Sequence, residues 1–358
     1  MNLKTSFDGL TLKNPLMPAS GPLVGDLEKL IYMVNQDCGA IVTKTISTKE
    51  PHIPKPCIYG DKEFIMNSEL WSEYSKEVWV EEILPAFMKE KDRPLIISVG
   101  YSKEDMELLI PILDPFADAF EVSTHYVGKD LSVIAETVKT IRKHTLKPVY
   151  MKISPHIPSP EDFARTVRDA GASGIVAINS LGPTLKIDIE TRSIVYGNDS
   201  GFVWTSGPSI KPVALAIIYK IKKALPDFTV IGVGGIKSAE DVIEFLLAGA
   251  SAVQMLSGAL LKGKDLYSKI ISDLPKVLQK YGFSSVEEVI QTTLTNSVKY
   301  SASLPHLIED KCIKCMICMK ICPYFAIDFK DKITFNSKKC FECGLCVSKC
   351  PTAAIVMD

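Results

Sequence analysis

Residues 228–258 read FTVIGVGGIKSAEDVIEFLLAGASAVQMLSG, and this stretch contains one complete unit of the fold. An apolar, β-branched run at Phe228–Val233 predicts a buried strand, and Ala252–Leu256 predicts a second one. Between them, Ala239–Leu247 has the periodicity of an amphipathic helix. Two buried strands joined by a helix indicate a parallel pair with a crossover connection, so the stretch is typical of an α/β protein.

The same alternation of strand and helix extends over residues 1–282. Apolar runs predict eight strands, at Pro15–Ala19, Ala40–Thr45, Pro94–Val99, Ala117–Val122, Val149–Ile153, Gly174–Ile178, Phe228–Val233 and Ala252–Leu256. Helical periodicity separates most of them, as at Glu104–Leu113, Leu131–Arg142, Pro160–Asp169 and Lys211–Ala224. Eight such repeats predict a (β/α)8 TIM barrel with its helices outside, and a doubly wound open sheet is the alternative.

The composition is that of a folded protein with two domains. Of 358 residues, 46% are hydrophobic and 23% are charged. The 41 basic and 42 acidic residues nearly cancel, which argues against attraction to nucleic acid or an acidic membrane by bulk charge. We find no secretory signal at the N-terminus and no apolar stretch that would span a membrane. We therefore expect a cytoplasmic protein.

Eight of the ten cysteines lie in two runs, CIKCMICMKICP at 312–323 and CFECGLCVSKCP at 340–351. Three cysteines at spacings of three, followed by a fourth before a proline, are typical of a protein with two [4Fe–4S] clusters, in which the fourth cysteine binds the other cluster. This rule predicts two ligand sets, Cys312, Cys315, Cys318 and Cys350 for one cluster, and Cys340, Cys343, Cys346 and Cys322 for the other. A zinc site would leave the third and fourth cysteines of each run unexplained.

The segment that contains these runs resembles a bacterial-type two-cluster ferredoxin. We expect three parts in the chain: a barrel over residues 1–282, a linker or helix over 283–305, and a small α+β ferredoxin-like domain over 306–358. The two remaining cysteines, Cys38 and Cys57, are predicted to be ordinary buried thiols.

Polar residues and glycines follow almost every predicted strand of the barrel, where the active sites of such barrels lie. They are Ser20, Gly21, Lys44, Ser98, Ser123, Lys152, Asn179, Ser180, Gly234, Gly235, Ser257 and Gly258. The loops after the last two strands commonly bind phosphate on backbone N–H groups, which predicts a phosphorylated cofactor. No G-x-G-x-x-G sequence follows a strand, so we expect no nicotinamide dinucleotide site of that kind.

Eight motifs span nearly the whole predicted barrel: NPLMPASGP at 14–22, AIVTKTIS at 40–47, FIMNSE at 64–69, FEVS at 120–123, YMKISP at 150–155, AINS at 177–180, SGPSIKPVAL at 206–215 and IGVGGIKSAEDVIEFLLAGASAVQ at 231–254. In these motifs the sequence resembles the soluble dihydroorotate dehydrogenases and, more closely, the barrel of dihydropyrimidine dehydrogenase. A barrel followed by a two-cluster ferredoxin is also the arrangement at the C-terminal end of dihydropyrimidine dehydrogenase and in the catalytic subunit of its bacterial relatives.

The resemblance implies FMN as the cofactor and hydride exchange between its N5 and a ring C–C bond of a pyrimidine. Lys152 and Lys44 would face the isoalloxazine and ribityl parts, and a lysine cation near the ring would stabilise the reduced flavin. The phosphate would lie on Gly234, Gly235, Ser257 and Gly258, and the remainder would be lined by Ala19, Ser20, Gly21, Ser180 and Gly207. Without its own nicotinamide or FAD site, the chain needs a redox partner, either a flavoprotein subunit or a ferredoxin, and we expect a homo-oligomer or hetero-oligomer.

The resemblance also implies a substrate held by amide side chains, with Asn67 and Asn179 matching two of the family's asparagines and Ser123 and Ser180 beside them. The loop after the fourth strand departs from the family pattern, because Ser123-Thr124-His125-Tyr126-Val127-Gly128 replaces its asparagine–leucine–serine–cysteine–proline–asparagine run. Tyr126 occupies the position of the catalytic cysteine. We predict His125 as the acid–base group, because an ordinary histidine has a pKa of about 6.5 and a tyrosine about 10. Tyr126 is the second choice, with Ser123 or Thr124 in support.

Three other functions are compatible with parts of the sequence. The altered loop suits a non-catalytic electron-transfer subunit in which flavin and clusters relay electrons within a larger complex. It also suits a reductase of a non-pyrimidine ring. A tRNA dihydrouridine synthase is a further FMN barrel, but the neutral charge and the ferredoxin-like tail disfavour it.

Overall fold

The computed structural model describes residues 1–100, 102–296, 298, 300 and 302–357. These residues form two compact units, Met1–Leu294 and Thr295–Asp358, which are described one at a time. The first unit includes a helix at Val286–Gln291, inside the segment expected to be a linker or helix. In the described part of the chain, none of the helices combines the length and the apolar character that a membrane span requires.

The first unit is built on eight parallel strands. They are β1 (Leu16–Pro18), β2 (Ile41–Val42), β3 (Leu95–Val99), β4 (Ala119–Ser123), β5 (Val149–Ile153), β6 (Gly174–Ala177), β7 (Thr229–Val233) and β8 (Ala252–Met255). From β2 to β8 each strand pairs with the next along the chain, and β8 then pairs with β1. Between β1 and β2, where the barrel closes, the N–H of Gly39 just before β2 donates to the carbonyl of Leu16 in β1 at 2.8 Å. This order has no reversal, so the barrel prediction is confirmed and the doubly wound sheet is excluded.

Amphipathic helices follow the strands and cover the barrel. They are α1 (Leu27–Asn35), α2 (Leu84–Glu90), α3 (Lys103–Leu113), α4 (Ser132–Arg142), α5 (Pro160–Asp169), α6 (Lys211–Ala224), α7 (Ala239–Leu247) and α8 (Leu266–Lys280). Shorter helical segments lie at Pro22–Val24, Lys76–Val78, Trp79–Ile83, Pro208–Ile210 and Ser257–Lys262. Asp26, Ser102, Ser159 and Ser238 cap their helices by accepting a hydrogen bond from a backbone N–H of the first turn.

Additional strands lie outside the barrel sheet. A hairpin at Thr5–Phe7 and Leu10–Leu12 precedes β1, and another pairs Ile187–Asp188 with Ser193–Ile194. A four-stranded antiparallel sheet, here called the roof sheet, has the order Leu181–Thr184, Val203–Ser206, Ile65–Asn67 and Ile58–Gly60. Its strands come from the segments that follow β2 and β6. Because those segments leave the carboxyl ends of two barrel strands, the roof sheet brings their side chains to the end of the barrel where sites form.

Two buried apolar clusters stabilise the first unit. One includes Met17, Val42, Ile96, Val176 and Ile231, which come from five of the barrel strands. The other is larger and joins the strands to the surrounding helices. Strand residues alternate between the two sides of the sheet, so both clusters are supplied by the same apolar runs.

The second unit is small and has an internal repeat. Two short helices, Ile317–Ile321 and Leu345–Ser348, follow equivalent cysteines of the two runs. Two antiparallel pairs complete it, His306–Leu307 with Ile355–Val356 and Ile327–Phe329 with Ile333–Phe335. This α+β arrangement is the ferredoxin-like domain that the cysteine runs predict.

Candidate functional site

A cavity of about 340 Å³ opens at the carboxyl ends of the barrel strands. It brings together nearly all of the residues predicted to form the barrel site. Those that line it are Ala19, Ser20, Gly21, Lys44, Asn67, Ser123, His125, Lys152, Asn179, Ser180, Gly207, Gly234, Gly235, Ser257 and Gly258. The site is therefore assembled from loops that are far apart in the sequence.

Glycines form one end of this cavity. Gly234 and Gly235 follow β7 with φ angles of 123° and 98°, a backbone conformation that favours glycine. A Cβ on Gly258 would lie 2.3 Å from the carbonyl oxygen of Ile236, so only glycine fits there. The hydroxyls of Ser206 and Ser257 are 2.7 Å apart beside these turns. Backbone and hydroxyl groups that line a cavity suit a phosphate, which is what the FMN prediction requires at this end.

Lys152 is held at the centre of the barrel by a buried ion pair. Its Nζ lies 2.9 Å from Oε1 of Glu121, whose side chain is completely buried. Gln254 donates from Nε2 to the other Glu121 oxygen at 2.6 Å. The Oε1 of Gln254 is buried without a partner among the described residues, and Gln254 lines the cavity. An orphaned amide oxygen of this kind fits a ring N–H of a bound cofactor.

Lys44 is the second buried lysine, and it is also paired. Its Nζ lies 2.9 Å from Glu69 and 2.7 Å from Glu73. Burial raises the pKa of the Glu73 carboxyl, but the hydrogen bond and charge of Lys44 outweigh this and hold the pKa below its usual value. The lysine ammonium is thus fixed before any ligand arrives.

His125 points into the cavity. Its Nε2 lies 3.3 Å from Nδ2 of Asn179, and its ring makes an edge contact with Trp71 at 5.2 Å between centroids. Burial, and secondarily the charge of Lys152, lower the pKa of His125 to about 4. The expected pKa of about 6.5 is therefore wrong for this position, and His125 is neutral at pH 7.

Tyr126 lies outside the set of residues that line the cavity. Its hydroxyl donates to the backbone carbonyl of Asp130 within its own loop. The cause is local, because His125 has a positive φ of 49° and the backbone turns sharply there. His125 therefore lines the cavity, whereas Tyr126 does not. This corrects the expectation that Tyr126 stands in the site. Thr124 is also outside the lining, whereas Ser123 is part of it.

Asn67 and Asn179 are both held in place by local hydrogen bonds. Oδ1 of Asn67 accepts from the N–H of Glu69 at 2.6 Å, and Oδ1 of Asn179 accepts from the N–H of Ser180 at 2.8 Å. Nδ2 of Asn179 also lies 3.3 Å from the Ser123 hydroxyl. These contacts set the orientation of each amide, so the two can present polar edges to a ring.

Several lining residues were not predicted from the sequence. They include Glu69, Trp71, Trp204, Ser206 and Gln254. Glu69 and Gln254 stand inside motifs that carry the family resemblance, so those motifs contained the signal. Trp204 comes from the roof sheet, whose pairing with Asn67 has no evident sequence signature.

The cysteines of the second unit lie around two small cavities. One is lined by Cys312, Cys315, Cys318 and Cys350, and the other by Cys322, Cys340, Cys343 and Cys346. Each cavity thus combines three cysteines of one run with the fourth of the other. In the part of the chain that the structure describes, no three His, Cys, Asp or Glu side chains are arranged to hold a single metal ion. Four sulfurs around a cavity fit a multi-iron cluster better than one zinc ion.

Backbone N–H groups support these sulfurs. The N–H of Ala354 lies 3.2 Å from the sulfur of Cys350, and that of Ala326 lies 3.4 Å from the sulfur of Cys322. Burial raises the pKa of the Cys350 thiol, but hydrogen bonds from the backbone and from the Thr352 side chain together outweigh it and lower the pKa. Such bonds favour the thiolate, which is the form that binds iron.

Comparison with known proteins agrees with this architecture. A family model described as dihydroorotate dehydrogenase matches residues 2–278, and one described as a 4Fe-4S dicluster domain matches residues 311–354. Three relatives named "Dihydroorotate dehydrogenase B (NAD(+)), catalytic subunit" illustrate the similarity. That of Pyrococcus horikoshii is 33% identical over 305 residues, which cover 82% of this chain and 98% of the relative.

The second relative, from Oceanobacillus iheyensis, is 32% identical over 303 residues, with 81% and 98% of the two chains covered. The third, from Methanothermobacter thermautotrophicus, is 30% identical over 300 residues, with 80% and 97% covered. The match with the family model extends over most of the barrel unit, and the dicluster match lies within the second unit. The chain therefore belongs to the dihydroorotate dehydrogenase family, whose members are flavin-containing oxidoreductases that act on CH–CH groups, and it carries a 4Fe-4S dicluster domain.

Proposed function

We propose that the protein interconverts a ring CH–CH bond and a C=C bond of a pyrimidine, with FMN in the barrel and two [4Fe–4S] clusters in the second unit. One observation carries the proposal: a single cavity collects the glycine turns, both buried lysines and both asparagines. FMN would supply hydride acceptance at this site, and the clusters would carry electrons one at a time.

The residues that we propose to hold FMN all line the cavity. Gly234, Gly235, Ser257 and Gly258 would receive the phosphate, and Ala19, Ser20, Gly21, Ser180 and Gly207 would line the remainder. Lys152 is oriented by Glu121, and its ammonium would offset negative charge that develops during the reaction. Because this pair is preorganised in a buried site, no rearrangement of the side chains is required.

Asn67 and Asn179 would bind the polar edges of the pyrimidine ring, with Ser123 and Ser180 beside them. The proton would move between a ring carbon and Nε2 of His125, which faces the cavity next to Asn179. A neutral imidazole is the form that accepts a proton, and the low pKa of His125 keeps it in that form at pH 7.

We infer that electrons reach an external redox partner, either a flavoprotein subunit or a ferredoxin. The relatives are named catalytic subunits of an NAD(+) enzyme, which supports a partner that supplies the nicotinamide site. A hetero-oligomer, or a homo-oligomer that binds its partner transiently, would serve this purpose, and a cytoplasmic location suits such chemistry.

Anaerobic titration of the flavin with dihydrouracil, dihydrothymine and dihydroorotate tests the function. Bleaching by at least one of them is the expected result. Cofactor analysis of anaerobically prepared protein should give one FMN and about eight irons per chain. Release of FAD, about four irons, or binding of a pyrimidine without any bleaching would contradict the proposal, the last pointing to an electron-transfer subunit.

A further inference from the structure

The cysteine repeat of the second unit relates each residue of the first half to the residue 28 positions later. Phe325 thereby corresponds to Ala353, and both have the same positive φ of 49°. A positive φ is unusual for a residue as bulky as phenylalanine. The Phe325 side chain is also 81% exposed, so its ring gains little from packing against the described residues. Alanine satisfies the same backbone in the other half, and the aromatic ring of Phe325 therefore needs a reason other than the fold.

Two further aromatic rings lie beside the cavity of the second cysteine run. Tyr324 and Phe341 stack with their ring centroids 5.0 Å apart and 24° between the ring planes, and Phe341 is 70% exposed. Both rings line that cavity. The corresponding positions at the other cavity are Thr352 and Ile313, so only the second cavity has rings at these positions. We call Tyr324, Phe325 and Phe341 the aromatic face.

Positive charge adjoins the aromatic face. Lys338 and Lys339 are exposed and directly precede Cys340, and Lys338 takes the place that Asp310 has in the other half. Glu342 is the one acidic residue in the sequence of 337–342, so this segment keeps an excess of positive charge. Residues 306–358 as a whole contain eight lysines and six acidic residues, although the complete chain is nearly neutral. An acidic partner is therefore attracted to this unit.

We propose that the aromatic face is the docking site of a free, acidic one-electron carrier of the ferredoxin class. This rests on the proposed function, in which electrons reach an external partner. Exposed aromatic side chains are enriched at protein–protein interfaces, and adjacent lysines orient an acidic partner. Because Tyr324 and Phe341 line the cysteine cavity, a carrier that covers them comes next to the cluster. One electron passes between the two redox centres, oxidising one and reducing the other, and no bond or proton is exchanged.

The extent of the aromatic face favours a transient carrier over a permanent flavoprotein subunit. Permanent complexes commonly bury more than about 2,000 Å² of largely hydrophobic surface, whereas electron-transfer encounters bury less than about 1,200 Å². Three rings flanked by lysines form a small patch of the second kind. The carrier is thus bound weakly enough to leave after each electron.

Calorimetric binding of an acidic [2Fe–2S] ferredoxin to the oxidised holoenzyme tests the docking site without substrate. Phe325→Ala, which copies Ala353 of the repeat, should weaken binding at least about tenfold, a difference of about 1.4 kcal/mol. The affinity of the parent protein should fall as salt is raised, because salt screens the lysines. Cytochrome c, a basic carrier, should bind more weakly than the ferredoxin. Iron content and circular dichroism verify that each variant is folded.

A pair of lysines related by the repeat supplies the matched control. Lys339→Asp should weaken ferredoxin binding about tenfold in dilute salt. Lys311→Asp makes the same change at the exposed, equivalent position before the first run and should have a much smaller effect. Equal effects of the two variants would reduce the interaction to bulk charge and overturn the docking site. Absence of binding by the parent protein, or a Phe325→Ala variant with unaltered affinity, would overturn it as well.

Stopped-flow mixing of chemically reduced ferredoxin with the oxidised holoenzyme follows the electron. The phase whose rate rises with ferredoxin concentration should slow about tenfold in Phe325→Ala, and the later reduction of the flavin should not. Slowing of the later phase alone would overturn the docking site. Dissociation of an oligomer by Phe325→Ala would also overturn it, since a second copy of the chain would then occupy the aromatic face.

The docking site and the proposed function can fail separately. No pyrimidine takes part in either ferredoxin experiment. Failure of every dihydropyrimidine to bleach the flavin would contradict the proposed function and leave the ferredoxin results standing. Bleaching by a dihydropyrimidine without any binding of ferredoxin would overturn the docking site and leave the pyrimidine chemistry intact.

Discussion

The two units differ in what holds their sites together. In the barrel, the cavity is formed by loops on a sheet with an extensive apolar core on both of its sides. In the second unit, the buried apolar cluster of described residues consists of Cys318, Ile327, Ile333, Cys346 and Ile355, and two of these five are predicted iron ligands. A domain this small commonly needs metal to fold. The barrel therefore has a large apolar core that does not depend on its cavity residues. In the second unit, by contrast, two of the predicted iron ligands are themselves part of the core, so the site and the core are formed by the same residues.

Removal of iron should therefore have the largest effect, and on one unit only. Chelation under reducing conditions should unfold residues 295–358, because their core loses the groups that join its cysteines. The barrel should keep its structure and its flavin. Limited proteolysis followed by mass spectrometry measures both outcomes, and a protease-resistant second unit without iron would break the comparison.

Replacement of a single crossing cysteine should have a smaller effect. In Cys350→Ser, the cluster bound by the first run should be disturbed, with loss of about four irons, because Cys350 lies with Cys312, Cys315 and Cys318. Cys57→Ser, outside both runs, is the matched control and should keep all iron. Flavin reduction by substrate should persist while transfer to an external acceptor falls. Loss of flavin reduction as well would show that the barrel depends on the second unit.

Within the barrel, Glu121→Gln should lower the free energy of unfolding by about 3 kcal/mol, because it leaves the Lys152 ammonium buried without a counter-charge. Urea denaturation of the first unit, monitored by flavin fluorescence, gives the value. Glu136→Gln is the control, since Glu136 and Lys139 are both more than half exposed, and it should leave the stability nearly unchanged. Equal effects of the two substitutions would contradict a rigid, preorganised site.

Replacement of the proposed acid–base group should slow the reaction and leave the fold unaffected. His125→Gln should slow flavin reduction by about 10²-fold with FMN still bound, the usual scale of general acid–base catalysis. His144→Gln, at an exposed position after α4, should match the parent rate. Stopped-flow spectroscopy distinguishes them. If Tyr126→Phe were the slow variant instead, the proton transfer would belong to Tyr126.

The pH dependence should show the smallest change. A base must be unprotonated to act, and burial together with Lys152 lowers the pKa of His125 to about 4. Flavin reduction should then be nearly constant between about pH 5 and pH 7 and fall only towards pH 4. An acid limb near pH 6.5 would indicate a solvated histidine and a more open cavity.

The two units also differ in how far the sequence alone predicts them. The cysteine runs are local, so their spacing suffices to indicate which sulfurs gather. The barrel could be predicted because apolar runs recur with helices between them, and its strand ends point to the site. The lysine–carboxylate pairs could not be predicted, because Glu121 and Lys152 meet only after two strands align.

Two other features depend on geometry that the sequence does not encode plainly. The positive φ of His125 separates its side chain from that of Tyr126. Histidine adopts such a backbone more often than most residues do, but the residue type alone does not predict it at a given position. The roof sheet joins Asn67 to Trp204 across more than a hundred residues of chain. Neither feature follows from the conformational propensity of the local sequence, so both could be recognised only in the folded chain.

The roof sheet has a consequence for how such an enzyme can diverge. Its four strands pair with one another and not with the barrel strands, although they carry Asn67 and Trp204 into the cavity. Mutational drift, insertion or exchange in the two segments that form it can alter which ring is admitted. The glycine turns and Lys152 stand on other segments of the chain, and the roof sheet contacts the turns through the hydrogen bond between Ser206 and Ser257. Changes away from Ser206 can therefore alter recognition of the substrate with less effect on the residues proposed for the redox chemistry.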